Sequence, residues 1–166
     1  MLLGIILGII LFFLLLFIDG FLVGLAGFNI SIVIFLVAYN KFDWRLLSIF
    51  FIPFLLSVDV SINIPLGSSI IIMSICYGLV LLLSYFISME DSLVSYLAKF
   101  IIVSIFYVLN LWIPNLLLLG NLGIHSLEDY LYIFFKALIS IILLYLLDIG
   151  FSNVRGRERG VRISFK

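Results

Sequence analysis

Charged residues are scarce in this sequence: only 11% of its 166 residues are charged, 66% are hydrophobic, and the mean hydropathy is +1.42. A soluble domain has about 25% charged and about 45–50% apolar residues. A soluble fold of this length has no interior large enough to hide so much apolar surface. The composition therefore excludes a soluble globular protein and predicts a polytopic integral membrane protein.

The side chains that carry most enzyme and metal chemistry are also scarce. The single cysteine, Cys76, lies inside an apolar run, and the single histidine is His125, so the sequence has neither a disulfide pair nor a Cys/His metal cluster. His125 has Ser126 and Asp129 nearby, but a catalytic triad is defined by geometry and not by sequence neighbours. No metalloprotease, phosphate-loop or dinucleotide-binding motif is present. We therefore expect no enzyme activity, no cofactor and no metal, and interpret Cys76 as a small core residue.

Six apolar runs approach the roughly 20 residues that a helix needs to cross a hydrocarbon core of about 30 Å. We expect an all-α integral membrane fold, with a six-span transmembrane domain at 1–149 and a basic cytoplasmic tail at 150–166. The predicted spans cover residues 2–18, 21–38, 46–63, 65–88, 93–113 and 127–149.

Particular residues set the predicted ends of these spans. Asp19 and the glycine after it end the first span, and Pro114 stops the fifth. Pro65 suits the first turn of the fourth span, because the amide that proline lacks would have no partner there. Ser126 and Asp129 form a capping box that opens the sixth span. Glycines near the start of the second span leave open whether it crosses the membrane fully.

The distribution of basic residues predicts the orientation. With six spans, both termini lie on the same side as the turn that contains Lys41 and Arg45, whereas the opposite loops contain no Lys or Arg. Since cytoplasmic loops carry an excess of Lys and Arg, we expect a multi-pass membrane protein with both termini in the cytoplasm. Five spans would place the tail opposite Lys41 and Arg45. The tail holds five of the nine basic residues: Arg155, Arg157, Arg159, Arg162 and Lys166.

Three charged side chains, Asp59, Lys99 and Lys136, fall inside or near the predicted hydrocarbon core, where a charge is costly. A fourth, Asp148, lies at the cytoplasmic end of the sixth span. We expect Lys99 to extend to the headgroups and Asp148 to be hydrated. Asp59 lies roughly 20 Å from the cytoplasmic face and Lys136 roughly 12 Å from the outer face at 1.5 Å per residue, so their depths coincide. One hypothesis pairs Asp59 with Lys136 between the third and sixth spans. In the other, Asp59 caps the next turn by accepting amides near residues 63–67.

A candidate helix-docking face lies on the first span. Gly4 and Gly8 form a G-x-x-x-G motif, a spacing that lets a second helix approach closely. The motif is also common by chance in membrane proteins, so internal packing or accident is the alternative.

The stretch from Asp59 to Gly67 has the most specific pattern. An apolar run contains Asp59, and Pro65, Leu66 and Gly67 follow it, with the glycine eight residues after the aspartate. In this stretch the sequence resembles the rod shape-determining protein MreD family, whose members have about this length, six spans and a cytoplasmic N-terminus. It departs from the family where glycines often precede the aspartate, since residues 53–57 contain none.

The resemblance implies a non-catalytic inner-membrane scaffold of the cell-elongation machinery, which maintains rod shape and organises peptidoglycan synthesis. The implied partners are an MreC-like protein and other proteins of that machinery, which couples the MreB filament to the peptidoglycan synthases. Membrane lipids are also expected partners, whereas nucleic acid and a small-molecule substrate are not. The basic tail would meet either anionic lipid or a cytoskeletal partner.

Two other classes remain open. A substrate-binding S component of an energy-coupling-factor type vitamin transporter also has six helices, and Gly4 and Gly8 would serve as its docking motif. Its pocket needs convergent polar groups, and the outer loops offer only two asparagines, one histidine and a few carboxylates. A small channel or exporter needs a polar stripe along one span, and the longest stripe has three residues around Asp59.

Overall fold

The computed structural model describes the backbone of residues 2–39, 44–87, 93–121, 123 and 125–160. It describes the side-chain surroundings of residues 10, 12–39, 51–87, 93–121, 123 and 125–150. Within these residues the chain forms six helices and no β-strand. The helices are α1 (Leu2–Ala26), α2 (Ser31–Tyr39), α3 (Trp44–Ile62), α4 (Ser68–Phe86), α5 (Leu93–Leu119) and α6 (Leu127–Gly160).

Three helices of the described part are long and apolar enough to cross a membrane: α4, α5 and the Leu127–Gly150 part of α6. Phe12–Ala26 in α1 and Phe51–Ile62 in α3 are shorter apolar segments. Large apolar side chains point outward, among them Leu82, Ile101 and Phe135, each more than half exposed. A helix satisfies its own backbone and can present such a surface to lipid. The chain is therefore an all-α membrane protein.

The short helix α2 lies in the middle of the bundle. Ile32 and Val33 have no exposed surface, and α2 contacts α3, α5 and α6. Around it, α1 packs on α3, α3 on α4, α4 on α5, and α5 on α6. The nine described residues of α2 rise only about 14 Å. This is half of a hydrocarbon core of about 30 Å, so the described part of the second predicted span is a buried half-helix.

The predicted boundary at Asp19 is wrong. Helix α1 continues through Asp19 and Gly20 to Ala26, and the chain turns at Gly27, whose φ is +59°. The carboxylate does not end the helix because it is completely buried and accepts backbone amides from the start of α2. An aspartate that has such partners needs no water.

Pro114 does not stop the fifth helix, which continues to Leu119. Proline removes one helical N–H and crowds the carbonyl four residues earlier. Two asparagine side chains add donors next to this point: Asn110 donates to the carbonyl of Phe106 at 3.0 Å, and Asn115 donates to that of Leu111 at 3.0 Å. Neither of these donors serves the Asn110 carbonyl, which is the one that loses its helical partner at Pro114. Proline is tolerated in a membrane helix where neighbouring helices surround it, and Pro114 is buried inside the bundle.

Helix α4 begins three residues later than predicted. Pro65 lies in the preceding turn, Gly67 is the N-cap residue, and Ser68 is the first helical residue. The Pro65 carbonyl accepts the Ser68 amide at 3.1 Å. The proline therefore shapes the turn and does not occupy the first helical turn.

The two ends of α6 give different outcomes. The capping box is confirmed, since the Ser126 amide donates to Asp129 Oδ2 at 2.8 Å and the Asp129 amide donates to Ser126 Oγ at 3.3 Å. At the other end, α6 continues past residue 149 to Gly160, so the first part of the predicted tail is helical. Residues 161–166 and the turn with Lys41 lie outside the described residues.

Lys99 does not extend to the headgroups, contrary to the prediction. Its side chain is 3% exposed, and its ammonium lies 3.6 Å from Asp148 Oδ2, on a side chain that is 15% exposed. The ammonium also lies 4.6 Å from the centroid of the Tyr96 ring, and the Tyr96 hydroxyl donates to Asp148 Oδ2 at 3.4 Å. This ion pair joins α5 to α6, and Asp148 stays partly exposed.

We expect Lys99 and Asp148 to be coupled energetically. Removing one partner of a buried ion pair costs about 3–5 kcal/mol, because the other charge stays buried alone, whereas removing both costs much less. Lys99→Met and Asp148→Asn should each lower the free energy of unfolding, and the double variant should be more stable than the sum of the single effects predicts. Reversible unfolding in detergent micelles measures the coupling. Strictly additive effects would show that the pair contributes nothing.

Candidate functional site: two buried aspartates and a polar cavity

Asp59 has no exposed surface and lies one turn before the end of α3. Its Oδ2 accepts the Gly67 amide at 2.7 Å, and its Oδ1 accepts the Ser69 amide at 3.1 Å. These amides are at the start of α4, where backbone N–H groups lack helical partners and the helix dipole favours a negative charge. The hypothesis that Asp59 caps the following turn is therefore confirmed.

The residues of the Asp59–Gly67 pattern form one structural unit. Gly67 has a φ of +91°, in the left-handed region that glycine adopts without cost. A Cβ at this position would meet nothing within 4 Å, so the backbone conformation and not the available space requires glycine. Leu66 is 69% exposed at the turn between α3 and α4. The turn thus presents an apolar side chain outward while its glycine amide faces the carboxylate.

Asp19 has the same function at the start of α2, although the sequence predicts it only as the end of a span. Its Oδ1 accepts the Ile30 amide at 2.7 Å and the Ser31 amide at 3.1 Å. The helix pairs α1–α2 and α3–α4 therefore repeat one arrangement, in which a buried aspartate near the end of one helix caps the next. In both pairs a glycine with positive φ, Gly27 or Gly67, follows the aspartate by eight residues. This shared spacing is the signal that identifies Asp19.

The two carboxylates differ in one respect. Both oxygens of Asp59 accept backbone amides, whereas Oδ2 of Asp19 is buried without a hydrogen-bond partner among the described residues. Asp19 therefore accepts its two backbone amides through one of its two carboxylate oxygens.

A buried polar network connects the start of α2 to α5 and α6. Asn29 Oδ1 accepts a hydrogen bond from the Ser31 hydroxyl. The backbone amide of Asn29 donates to the Tyr107 hydroxyl at 3.3 Å. The Tyr107 hydroxyl also lies 3.1 Å from Ser140 Oγ. The polar groups that a half-helix leaves inside the bundle are thereby hydrogen-bonded.

A cavity of about 450 Å³ adjoins this network. Its walls are the α1–α2 turn, the α3–α4 turn, the middle of α5 and the first three turns of α6. All four regions contribute side chains to it, and the α3–α4 turn contributes only the apolar Ile62 and Ile64. The polar lining residues are Asn29, Tyr107, Asn110, Glu128, Asp129, Tyr132 and Lys136.

The predicted pair between Asp59 and Lys136 is wrong. Among the described residues the Lys136 ammonium has no ion pair; it lies 4.5 Å from the centroid of the Tyr132 ring and 6.0 Å from that of Tyr107. Both Asp59 oxygens already accept amides, and two residues at the same depth of a bundle need not be neighbours. A Cβ added to Gly27 would lie 2.5 Å from the Lys136 Nζ, so the ammonium packs against the α1–α2 turn.

The other predicted site residues have the following positions. Gly4 and Gly8 lie in α1, one helical turn apart, but their surroundings fall outside the described side-chain environments. Cys76 is completely buried in α4, as expected for a core residue. Across the described ranges, His, Cys, Asp and Glu side chains form no group of three that could bind a metal.

No family model, no curated protein and no solved structure matches this sequence. The class of protein therefore follows from the fold and the site alone. The chain is an α-helical membrane protein in which buried carboxylates cap helices, and both capped turns line a cavity of mixed polar and apolar character.

We predict that the two aspartates respond differently to replacement by asparagine. Asp59→Asn places an NH₂ group against an amide donor and should destabilise the protein by about 1–3 kcal/mol. Asp19→Asn can direct its oxygen to the amides and its NH₂ toward the position of the unpartnered Oδ2, so it should cost less than Asp59→Asn.

Thermal unfolding in the same detergent compares the two variants. Asp59→Ala and Asp19→Ala remove both acceptors and should both be strongly destabilising. Equal stability of Asp59→Asn and the wild type would contradict the assignment of Asp59 as a double acceptor.

Proposed function

We propose that the chain is a non-catalytic scaffold of the MreD type in the inner membrane, acting within the cell-elongation machinery. One observation carries the proposal: Asp59 accepts the amide of Gly67, eight residues later, in a turn that also contains Pro65 and Leu66. The pattern that resembles the MreD family is thus a unit with a physical reason for its spacing. This use of the residues supports the resemblance over a chance similarity of apolar composition.

The use of the buried carboxylates also supports a scaffold. Asp19 and Asp59 are engaged by backbone amides, and Lys99 is engaged by Asp148. Charges with structural partners hold helices together and are not available for proton relay or nucleophilic chemistry. The exposed Leu66 and the exposed Phe13 and Phe17 of α1 supply apolar surfaces that a membrane partner can cover.

The proposed topology has six membrane-embedded segments and both termini in the cytoplasm. The second segment enters as the half-helix α2. In this orientation the loop that follows α5, which includes Asn121, faces the outer side together with the cavity. The basic residues at 155–166 face the cytoplasmic leaflet, whose anionic lipids attract them.

Affinity purification of the tagged full-length protein in mild detergent tests the function. We expect mass spectrometry to identify an MreC-like protein and a peptidoglycan transpeptidase. The variant Gly4→Leu/Gly8→Leu should capture less of the MreC-like protein, because bulky side chains keep a partner helix at a distance. Gly78→Leu is the matched control, since Gly78 lies in α4 with nothing within 4 Å of an added Cβ.

The capture experiment can contradict the proposal in two ways. Recovery of an energy-coupling ATPase module with a bound vitamin would assign the protein to the class of S components. Recovery of neither an MreC-like protein nor a transpeptidase from cells that contain both would reject the scaffold.

We predict the sidedness of two positions. The native Cys76 is buried, so a cysteine introduced as Asn121→Cys should dominate labelling by a membrane-impermeant maleimide in intact cells. A green fluorescent protein fused after Lys166 should fluoresce, because it folds in the cytoplasm. An unlabelled Asn121→Cys that becomes labelled after lysis would reverse the proposed orientation.

A further inference from the structure

Lys136 is a cation in a membrane-spanning helix whose ammonium has neither a hydrogen bond nor an ion pair with another described residue. An uncompensated charge in this environment is costly and marks a functional position. The other cation with a described side chain in the bundle, Lys99, has the carboxylate of Asp148 beside it. Lys136 therefore calls for a separate explanation.

Of the α6 residues that line the cavity, Lys136 lies farthest from the start of the helix. It lies eight residues after Glu128, which corresponds to about 12 Å along the helix. Its side chain bends back over Tyr132, one turn earlier, and reaches the backbone at Gly27. The ammonium is thus positioned by aromatic and backbone packing and remains available on the cavity wall.

The carboxylates of the cavity are at the opposite end of its α6 wall. Asp129 is occupied by the amide and hydroxyl of Ser126, and Glu128 is exposed. Neither forms an ion pair with Lys136. The cavity therefore has carboxylates at the start of its α6 wall and an ammonium about one helical turn farther along, over Tyr132.

We propose that this cavity binds an amphipathic ligand through a phosphate or carboxylate group held by Lys136. Tyr107 and Asn110 supply neutral polar atoms beside the anion, and apolar residues such as Ile62 and Leu111 contact the body of the ligand. A hydroxyl or amine of the ligand faces Glu128. The expectation that no small molecule binds was based on the lack of convergent polar groups in the loops, and this cavity brings such groups together from the helices.

The anion has two sources that the structure fits equally, a phospholipid headgroup and a soluble phosphate or carboxylate compound. Native mass spectrometry of the full-length protein released from nanodiscs measures retention of phosphatidylglycerol against diacylglycerol, which has the same acyl chains but no phosphate. Thermal shift in detergent with inorganic phosphate or succinate measures the soluble source. Both experiments compare the wild type with Lys136→Met, Lys136→Gln and Lys136→Arg.

We expect the two neutral variants to bind the anionic probe about tenfold more weakly, as the loss of a charge-assisted hydrogen bond implies. Lys136→Arg should retain binding. Arg159→Gln is the control for general attraction of anions, since it removes a positive charge far along the chain from the cavity, and should match the wild type. The neutral variants should also remain folded, because they remove a charge from the membrane.

Each result distinguishes the sources or rejects the site. Lysine-dependent retention of phosphatidylglycerol without a phosphate or succinate shift identifies a lipid headgroup. A lysine-dependent shift without lipid preference identifies a soluble anion. If Lys136→Met and Lys136→Gln match the wild type in both experiments, or if the wild type has neither a preference nor a shift, the cavity is not an anion site.

Discussion

The bundle depends on how the backbone N–H groups at helix N-termini find hydrogen-bond acceptors where water is absent. The first amides of a helix have no helical partners, and in hydrocarbon each unsatisfied group costs several kcal/mol. Asp19 and Asp59 lie on the preceding helices, and their carboxylates accept the unpaired amides at the starts of α2 and α4. The expense of burying a carboxylate is offset because the amides and the helix dipole stabilise the negative charge. Each aspartate also fixes the turn that connects its two helices.

This constraint explains why the bundle can contain a half-helix. The described part of α2 rises through only about half of a hydrocarbon core, and its start and its polar neighbours lie inside the protein. Irregular backbone at membrane depth is tolerated only where protein or a cavity surrounds it. Asp19 caps the start of α2, the Asn29 backbone amide donates to the Tyr107 hydroxyl, and a cavity with polar and apolar lining residues lies beside this turn.

Composition and hydropathy predicted the helical class, the membrane environment and the approximate positions of most helices. The capping box at Ser126 and one of the two hypotheses for Asp59 were also correct, because both depend on local spacing. The errors concern groups whose partners are distant in sequence or whose local preference is overridden. The sequence predicts a helix end at Asp19, because the amides that its carboxylate accepts belong to residues eleven and twelve positions later and do not show in the local pattern. The sequence predicts a helix stop at Pro114, because the packing of neighbouring helices around this proline is visible only in the fold. The pairing of Lys136 was inferred from depth alone, which does not specify the angular position around the bundle.

Amide hydrogen exchange in nanodiscs tests the central claim most directly. If the carboxylates cap α2 and α4, the amides of Ile30, Ser31, Gly67 and Ser69 should exchange as slowly as amides in the middle of α4. Replacing Asp59 by alanine should then expose Gly67 and Ser69 to exchange while Ile30 and Ser31 stay protected. Fast exchange at all four amides in the wild-type protein would contradict the account, since the helix starts would then be hydrated and the aspartates would have no capping function.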